Sequence, residues 1–343
     1  MKMARIALQE TTSLQARCAY YERCGPARDV LTLGELPVQP PGAGEVLVRL
    51  HFSGINPTDI KNRGGAPGRS IGFERVVPHH DGAGVVEAVG DDVPASLRGK
   101  PVWVFCAQHR RPFGTASQYI TIDRRFVVPL PPGTSFEAGA CVGIPAMTAW
   151  NAVLGSGPVN GRTVLVTGGA GAVGHYAVQI ARRQGATVIA TVSSKDKALD
   201  ALQGGAHYAI DYRQPDAAEQ ILAVTGGRGV DLCVDVDTTA NASLVSRVAA
   251  LGGQISSYGS RDLAAELPVR DLRLRCVSIR FLTLYQFSAE VLQAIAAGVN
   301  AMLECKLLQH RIAQIFPLKD IAAAHEALES GTVRGKILLD VSA

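Results

Sequence analysis

The sequence predicts an α/β protein in which an all-β, barrel-like unit is joined to a doubly wound parallel sheet. Three observations predict it. Up to about residue 132 the chain is rich in Gly and Pro with short apolar runs; from about 136 it alternates strand, turn and helix; the tail returns to mixed character.

In the first zone, from about residue 17, strand-length apolar runs occupy residues 45–50, 84–89, 102–105 and 119–122. Turn residues such as Pro40, Pro41 and Gly42, or Gly90, Asp91 and Asp92, bound them, which is the signature of a barrel-like unit. In the second zone residues 163–167 form a continuous apolar run, as a strand covered on both faces requires. A helical period follows over residues 172–184, and Gly185 stands just past it, where a residue lacking Cβ ends a helix well. Residues 187–192 repeat the strand signal, and further strands are predicted at 208–210, 230–235 and 253–258. Strands separated by helices imply right-handed crossovers and a parallel sheet. In the tail a helix is predicted over 321–329, ended by Gly331, and a last strand over 335–339. No repeat or low-complexity linker separates the zones, so a broad interface between them is predicted.

Composition narrows the function. With 47% hydrophobic and 19% charged residues among 343, two domains can bury proper cores and global disorder is excluded. The net charge of +4 is spread along the chain without a basic run or basic-aromatic stripe, so no nucleic-acid partner is expected. No stretch of about 18 apolar residues offers a membrane span, and the first residues lack a secretory pattern, so a cytoplasmic protein is expected. Seven scattered cysteines without a C-x-x-C pair argue against disulfides and against a four-cysteine zinc site.

The sharpest local feature is the run Gly168, Gly169, Ala170, Gly171, Ala172, Val173 and Gly174, set between the best strand and the best helix. Glycines there permit a tight turn and close approach of backbone to a pyrophosphate, and the helix N-terminus supplies unpaired N–H groups. Dinucleotide binding is the reading, although the spacing is a variant of the strict fingerprint. An NAD site places Asp or Glu at the end of the second strand. Here that strand runs into Ser193, Ser194 and Lys195, with Lys197 following, which suits a 2′-phosphate and hence NADPH.

Five segments, residues 54–59, 81–90, 143–149, 170–174 and 258–261, carry a resemblance in order along the chain. With them the sequence resembles the medium-chain dehydrogenase/reductase superfamily, and within it the zinc-independent NADPH:quinone oxidoreductases, the zeta-crystallin-like group. The resemblance implies a GroES-like catalytic domain of residues 17–140 and 301–343, a Rossmann NADPH-binding domain of residues 141–300, and an N-terminal extension over residues 1–16. The active site would lie in the cleft between the domains. The positions that hold catalytic zinc in related alcohol dehydrogenases correspond to Asn56, His80 and a residue near Val142, so no metal is expected, even with Cys141 adjacent.

By the same resemblance Asn56 and Asp59 lie beside the nicotinamide and Arg63 at the cleft wall, the three candidate catalytic residues. Lys61 replaces an aromatic residue, usually Tyr, of many quinone reductases. Ala170, Gly171, Ala172, Val173 and Gly174 would hold the pyrophosphate, and Ser193, Lys197 and Tyr212 the adenosine phosphate. Asn241, Tyr258, Gly259, Ser260, Arg261, Leu282, Thr283 and Leu284 would line the ribose and nicotinamide side. A quinone or conjugated alkene is activated already, so hydride transfer to it needs no Lewis acid. NADPH-dependent reduction of enones or enoyl thioesters is the alternative activity; a NADPH-binding structural or RNA-associated protein is the alternative of another class. A homodimer is expected through an edge strand within residues 272–284, with Ile279, Phe281, Leu282 and Leu284.

Overall fold

The computed structural model describes residues 14–66 and 70–342. The expected extension over residues 1–16 lies outside the described residues except for its last three, and Gln15 and Ala16 already belong to a strand.

The barrel unit opens with β1 (Gln15–Tyr20) and β2 (Thr32–Pro37), an antiparallel pair with the short helix α1 (Ala27–Val30) between them. Its centre is β3 (Glu45–Ile55), followed by helix α2 (Pro57–Gly64) and strands β4 (Asp81–Val89), β5 (Pro101–Val104), β6 (Tyr119–Asp123) and β7 (Val127–Pro129). The inward side chains of these strands, among them Val46, Val48, Leu50, Val86, Val102 and Ile122, form one apolar core. Irregularities between Leu47 and Val48 and between Leu50 and Phe52 let β3 pair with both β4 and β6.

Helix α3 (Phe136–Leu154) then carries the chain out of the barrel, begun by Ser135, whose Oγ accepts from Ala138 N–H at 3.2 Å. Six strands form a wholly parallel sheet: β8 (Thr163–Val166), β9 (Thr187–Val192), β10 (Tyr208–Asp211), β11 (Val230–Asp235), β12 (Ala249–Ser257) and β13 (Ser278–Phe281). The connecting helices are α4 (Ala172–Arg183), α5 (Lys195–Gln203), α6 (Ala217–Val224), α7 (Thr238–Val248) and α8 (Val269–Leu274), and α9 (Ala289–Glu304) follows β13. The strand order β10-β9-β8-β11-β12-β13 reverses between β8 and β11. At such a reversal the helices leave on opposite faces and open a crevice at the carboxyl ends of the strands.

The chain returns through β14 (Ile312–Pro317), α10 (Ile321–Glu329) and β15 (Lys336–Asp340); β15 pairs antiparallel with β3 and completes the seven-stranded sheet. The predicted fold class is thus observed. The expected domain divisions at 140/141 and 300/301 each fall inside a helix, α3 and α9. One apolar core accordingly runs across both halves, taking in Trp103, Phe105 and Leu338 of the barrel and Val166, Val234 and Val299 of the other half. Among the described residues no helix is long and apolar enough to cross a membrane.

Trp103 is fully buried in this shared core, and its indole N–H donates to Asn300 Oδ1 at 3.0 Å, tying β5 to α9. Asn300→Ala strands that donor, so a loss of about 1–3 kcal/mol in guanidinium denaturation is expected; an unchanged midpoint would show that water replaces the bond.

Candidate active site and dinucleotide cleft

The glycine-rich run leaves β8 at the crevice. Gly168 takes a left-handed φ of 64°, and Gly171 N–H donates back to Gly168 O at 2.9 Å, closing the turn. A Cβ on Gly174 would lie 2.2 Å from Gly168 O, so α4 can approach the turn only with glycine there. Gly171 is the N-cap of α4, and the first N–H groups of that helix have no intrahelical acceptor and point into the crevice end. Ala170, Gly171, Ala172, Val173 and Gly174 thus form a cradle that suits a pyrophosphate.

The parallel register sets the next contact. Asp211 of β10 lies opposite Val192 of β9, so Tyr212 and Ser193 leave the sheet side by side; Tyr212 N–H donates to Val192 O at 3.1 Å. Lys197 Nζ donates to Ser193 Oγ at 3.0 Å, and Ser194 Oγ caps α5 by accepting Lys197 N–H at 3.2 Å. Ser193 and Lys197 therefore pair through their side chains, and exposed Tyr212 follows the end of the neighbouring strand.

Across the reversal, Asp235 at the end of β11 accepts from Thr167 Oγ1 at 3.0 Å and from Asn241 Nδ2 at 2.8 Å, which fixes Asn241 beside the turn. Tyr258, Gly259, Ser260, Leu282 and Thr283 line one cavity of 380 Å³. Arg261 is held at the surface by Asp237, at 3.5 Å, and Leu284 is buried beneath the cleft.

On the barrel side a buried polar cluster gathers residues far apart in sequence. Lys336 Nζ donates to Asn56 Oδ1 at 2.6 Å and to Asp81 Oδ2 at 2.8 Å, and Asn56 Nδ2 donates to the same Asp81 oxygen at 2.8 Å. Ile144 N–H of α3 donates to Asp81 Oδ1 at 2.8 Å. The amide of Asn56 is therefore oriented without ambiguity, its oxygen toward the ammonium and its nitrogen toward the carboxylate. Asp59 Oδ2 accepts Asn56 N–H at 2.6 Å, and its Oδ1 lies 3.9 Å from His80 Nε2. Burial pushes the Asp59 carboxyl up to about 8, against the pull of the Asn56 N–H.

Asn56 and Asp59 thus meet, but Arg63 does not join them. Its guanidinium is buried on the far face of α2 and donates to Gly25 O and to Glu329 of α10. Arg63 docks one helix on another, and the expectation of a cleft-wall residue is corrected on that ground. Sequence reasoning missed Asp81 and Lys336, although a charge at the start of each of two largely apolar strands was a usable signal. It also missed Tyr285, whose ring lies 4.6 Å from His80.

The positions that the resemblance assigns to catalytic zinc hold Asn56, His80 and a residue near Val142, and the Asn56 oxygen already faces an ammonium. Burial pushes the Cys141 thiol up to about 12, far from the thiolate that zinc prefers. Among the described residues no group of three His, Cys, Asp or Glu could hold a metal ion. The donor set does not fit zinc.

Known proteins resemble this chain over most of its length. An alcohol dehydrogenase GroES-like domain model matches residues 42–132, and a zinc-binding dehydrogenase model matches residues 172–300. Human quinone oxidoreductase is 32% identical over 322 residues, covering 93% of this chain and 95% of the relative. A solved NAD-dependent alcohol dehydrogenase, 28% identical, superposes with a TM-score of 0.87 over 94% of this chain and 99% of its own. A mycobacterial protein solved in complex with NADPH is 26% identical with a TM-score of 0.82, covering 94% and 99%.

The raised Asp59 carboxyl gives a pH prediction. In the unfolded chain the group ionises near about 4, whereas in the fold it keeps its proton to about 8. Its contribution to stability is therefore full below about 4 and is lost as pH rises toward 8. Subtracting the stability-versus-pH curve of Asp59→Asn from that of the wild type should give a difference that falls through this window; a flat difference would refute the neutral carboxyl.

Proposed function

The chain belongs to the medium-chain dehydrogenase/reductase superfamily, in its quinone oxidoreductase branch, and on that premise we propose that it is an NADPH-dependent quinone reductase that works without zinc. The observation that carries the reading is the pair of Ser193 and Lys197 past the end of β9, beside the end of β10 that Tyr212 follows, where a hydroxyl and an ammonium suit a 2′-phosphate. The activity of the human relative and the NADPH bound to the mycobacterial structure support it.

Bound NADPH supplies a hydride to an acceptor that is already electrophilic. The protein's part is to hold and shield. The α4 cradle and the Ser193–Lys197 pair, with Tyr212 at the neighbouring strand end, would hold the two ends of the adenosine diphosphate, and Asn241, Tyr258 to Arg261 and Leu282 to Leu284 would border the other half. Lys336 and Asp81 lock the Asn56 amide, whose second N–H remains to meet oxygen charge that develops on the acceptor. Lys336, paired with Asp81, holds the Asn56 amide from its oxygen side. Asp59, protonated at neutral pH, holds a proton beside His80. The protein is proposed to form a homodimer along β13, the exposed edge of the parallel sheet, where Phe281 stands in solvent.

The test follows the absorbance of NADPH and of NADH with a benzoquinone, phenanthrenequinone and an unhindered enone, with and without a chelator. Quinone turnover that prefers NADPH and ignores the chelator is expected. Faster turnover of the enone would reassign the chain to ene reduction, loss of activity with chelator would overturn the zinc-free reading, and tight NADPH binding without turnover would favour a binding protein. In the same assay Lys197→Ala should raise KM for NADPH about tenfold, the value of one charge-assisted hydrogen bond, and leave KM for NADH within about twofold. An equal rise for both nucleotides would remove Lys197 from the 2′-phosphate site.

A further inference from the structure

Between the two halves, behind the polar cluster, lies a cavity of 310 Å³ whose walls include His109, Phe126, Tyr285 and Phe287. Its inner wall is the Tyr285 ring, stacked on His109 at 5.5 Å and 23° and set against His80 at 4.6 Å. His80 in turn neighbours Asp59. The cavity therefore adjoins the Asn56–Asp59 cluster on one side and Leu284, the residue before Tyr285, on the other. Aromatic walls of this kind suit a flat conjugated ring.

One charged side chain lines the cavity: Arg110. No hydrogen bond or ion pair engages its guanidinium among the described residues, and no carboxylate lines the cavity. The neighbouring cations are engaged elsewhere: Arg111 donates to Thr121 O, and Arg125 chelates Asp123. The backbone that presents Arg110 is unusual, since both Cys106 and Arg110 take left-handed φ values, 52° and 57°. Ala107 N–H to His80 O at 3.1 Å, His109 N–H to Cys106 O at 2.9 Å and Gln108 Nε2 to Arg111 O at 3.1 Å hold the loop in that shape.

We propose that the acceptor reduced at this site is a planar conjugated carbonyl compound bearing an anionic oxyacid group, which the Arg110 guanidinium holds while the ring lies along Tyr285. The inference rests on the reductase reading above and adds the class of substrate to it. A planar guanidinium fork meets a carboxylate or sulfonate with two parallel hydrogen bonds, and a site without opposing carboxylates leaves that interaction uncancelled.

The experiment compares kcat/KM for a naphthoquinone sulfonate with that for the parent naphthoquinone. The ratio should exceed one in the wild type, fall about tenfold in Arg110→Gln, and fall less in Arg110→Lys, which keeps the charge but not the fork. A ratio unmoved by Arg110→Gln would overturn the proposal. Binding is read separately, by calorimetric titration of the NADP⁺-loaded protein with naphthalenesulfonate, which accepts no hydride. Affinity that drops about tenfold in Arg110→Gln supports the anion site even if no quinone is reduced. Quinone turnover without such binding overturns the anion site alone, and the absence of both overturns it together with the reductase reading.

Discussion

Asp81 and Lys336 are both withdrawn from water at the place where the barrel meets α3, and each is tolerable there only because of the other. Removing one partner of such a pair leaves an uncompensated buried charge, at a cost of about 3–5 kcal/mol. Much of the local architecture follows from this constraint. Asp81 opens β4, Lys336 opens β15, Asn56 ends the excursion of β3, and Ile144 lies midway along α3; the two charges fix all four in one place. The approach is close enough to dictate small residues. A Cβ on Gly143 would lie 2.2 Å from Asp81 Oδ1, and one on Gly54 would lie 2.3 Å from Ala140 O. The glycines of these segments are the steric condition for the carboxylate to reach the helix.

A second buried chain runs alongside. His79 and His325 share a hydrogen bond of 2.8 Å between their Nε2 atoms, and His79 Nδ1 meets Ser53 Oγ at 2.8 Å. Ser53 bonds Thr115, which donates to the carbonyl of Asp81. Burial lowers the pKa of both imidazoles, so the pair is neutral and one ring donates to the other. Helix α10 is thus anchored to the start of β4 without a net charge, while Arg63 and Glu329 anchor its other end. The cleft stands on polar contacts of high sequence separation beneath an apolar core common to both halves.

The parallel sheet was legible because its strands are buried on both faces and read as continuous apolar runs: the predicted bounds of β9, β11 and α10 coincide with those observed. Helix α3 was not legible as a helix. It carries Gly139, Gly143 and Pro145 and is buried on nearly every side, so it shows neither a strong helical propensity nor a polar face. The phosphate turn was readable because turn chemistry is local. The Asn56–Asp81–Lys336 cluster was not, since Lys336 and Asn56 are 280 positions apart and only the pairing of β15 with β3 brings them together. Arg63 misled for the matching reason: the sequence places it one helical turn past Asp59 but does not say which face of α2 meets α10.

The pairing of β15 with β3 also governs the order in which the molecule can be made. On the ribosome β3 and β4 emerge early, with the Asp81 carboxylate still lacking its counter-ion and the sheet still missing an interior strand. The parallel sheet, complete in itself by β13, can form while the barrel waits. Only when residue 336 has left the exit tunnel can the strand that carries the ammonium slide in beside β3. Nucleotide-binding capacity can therefore precede the finished reaction centre during synthesis, and a nascent chain stalled before this strand would present a formed cradle beside an open, incompletely paired barrel.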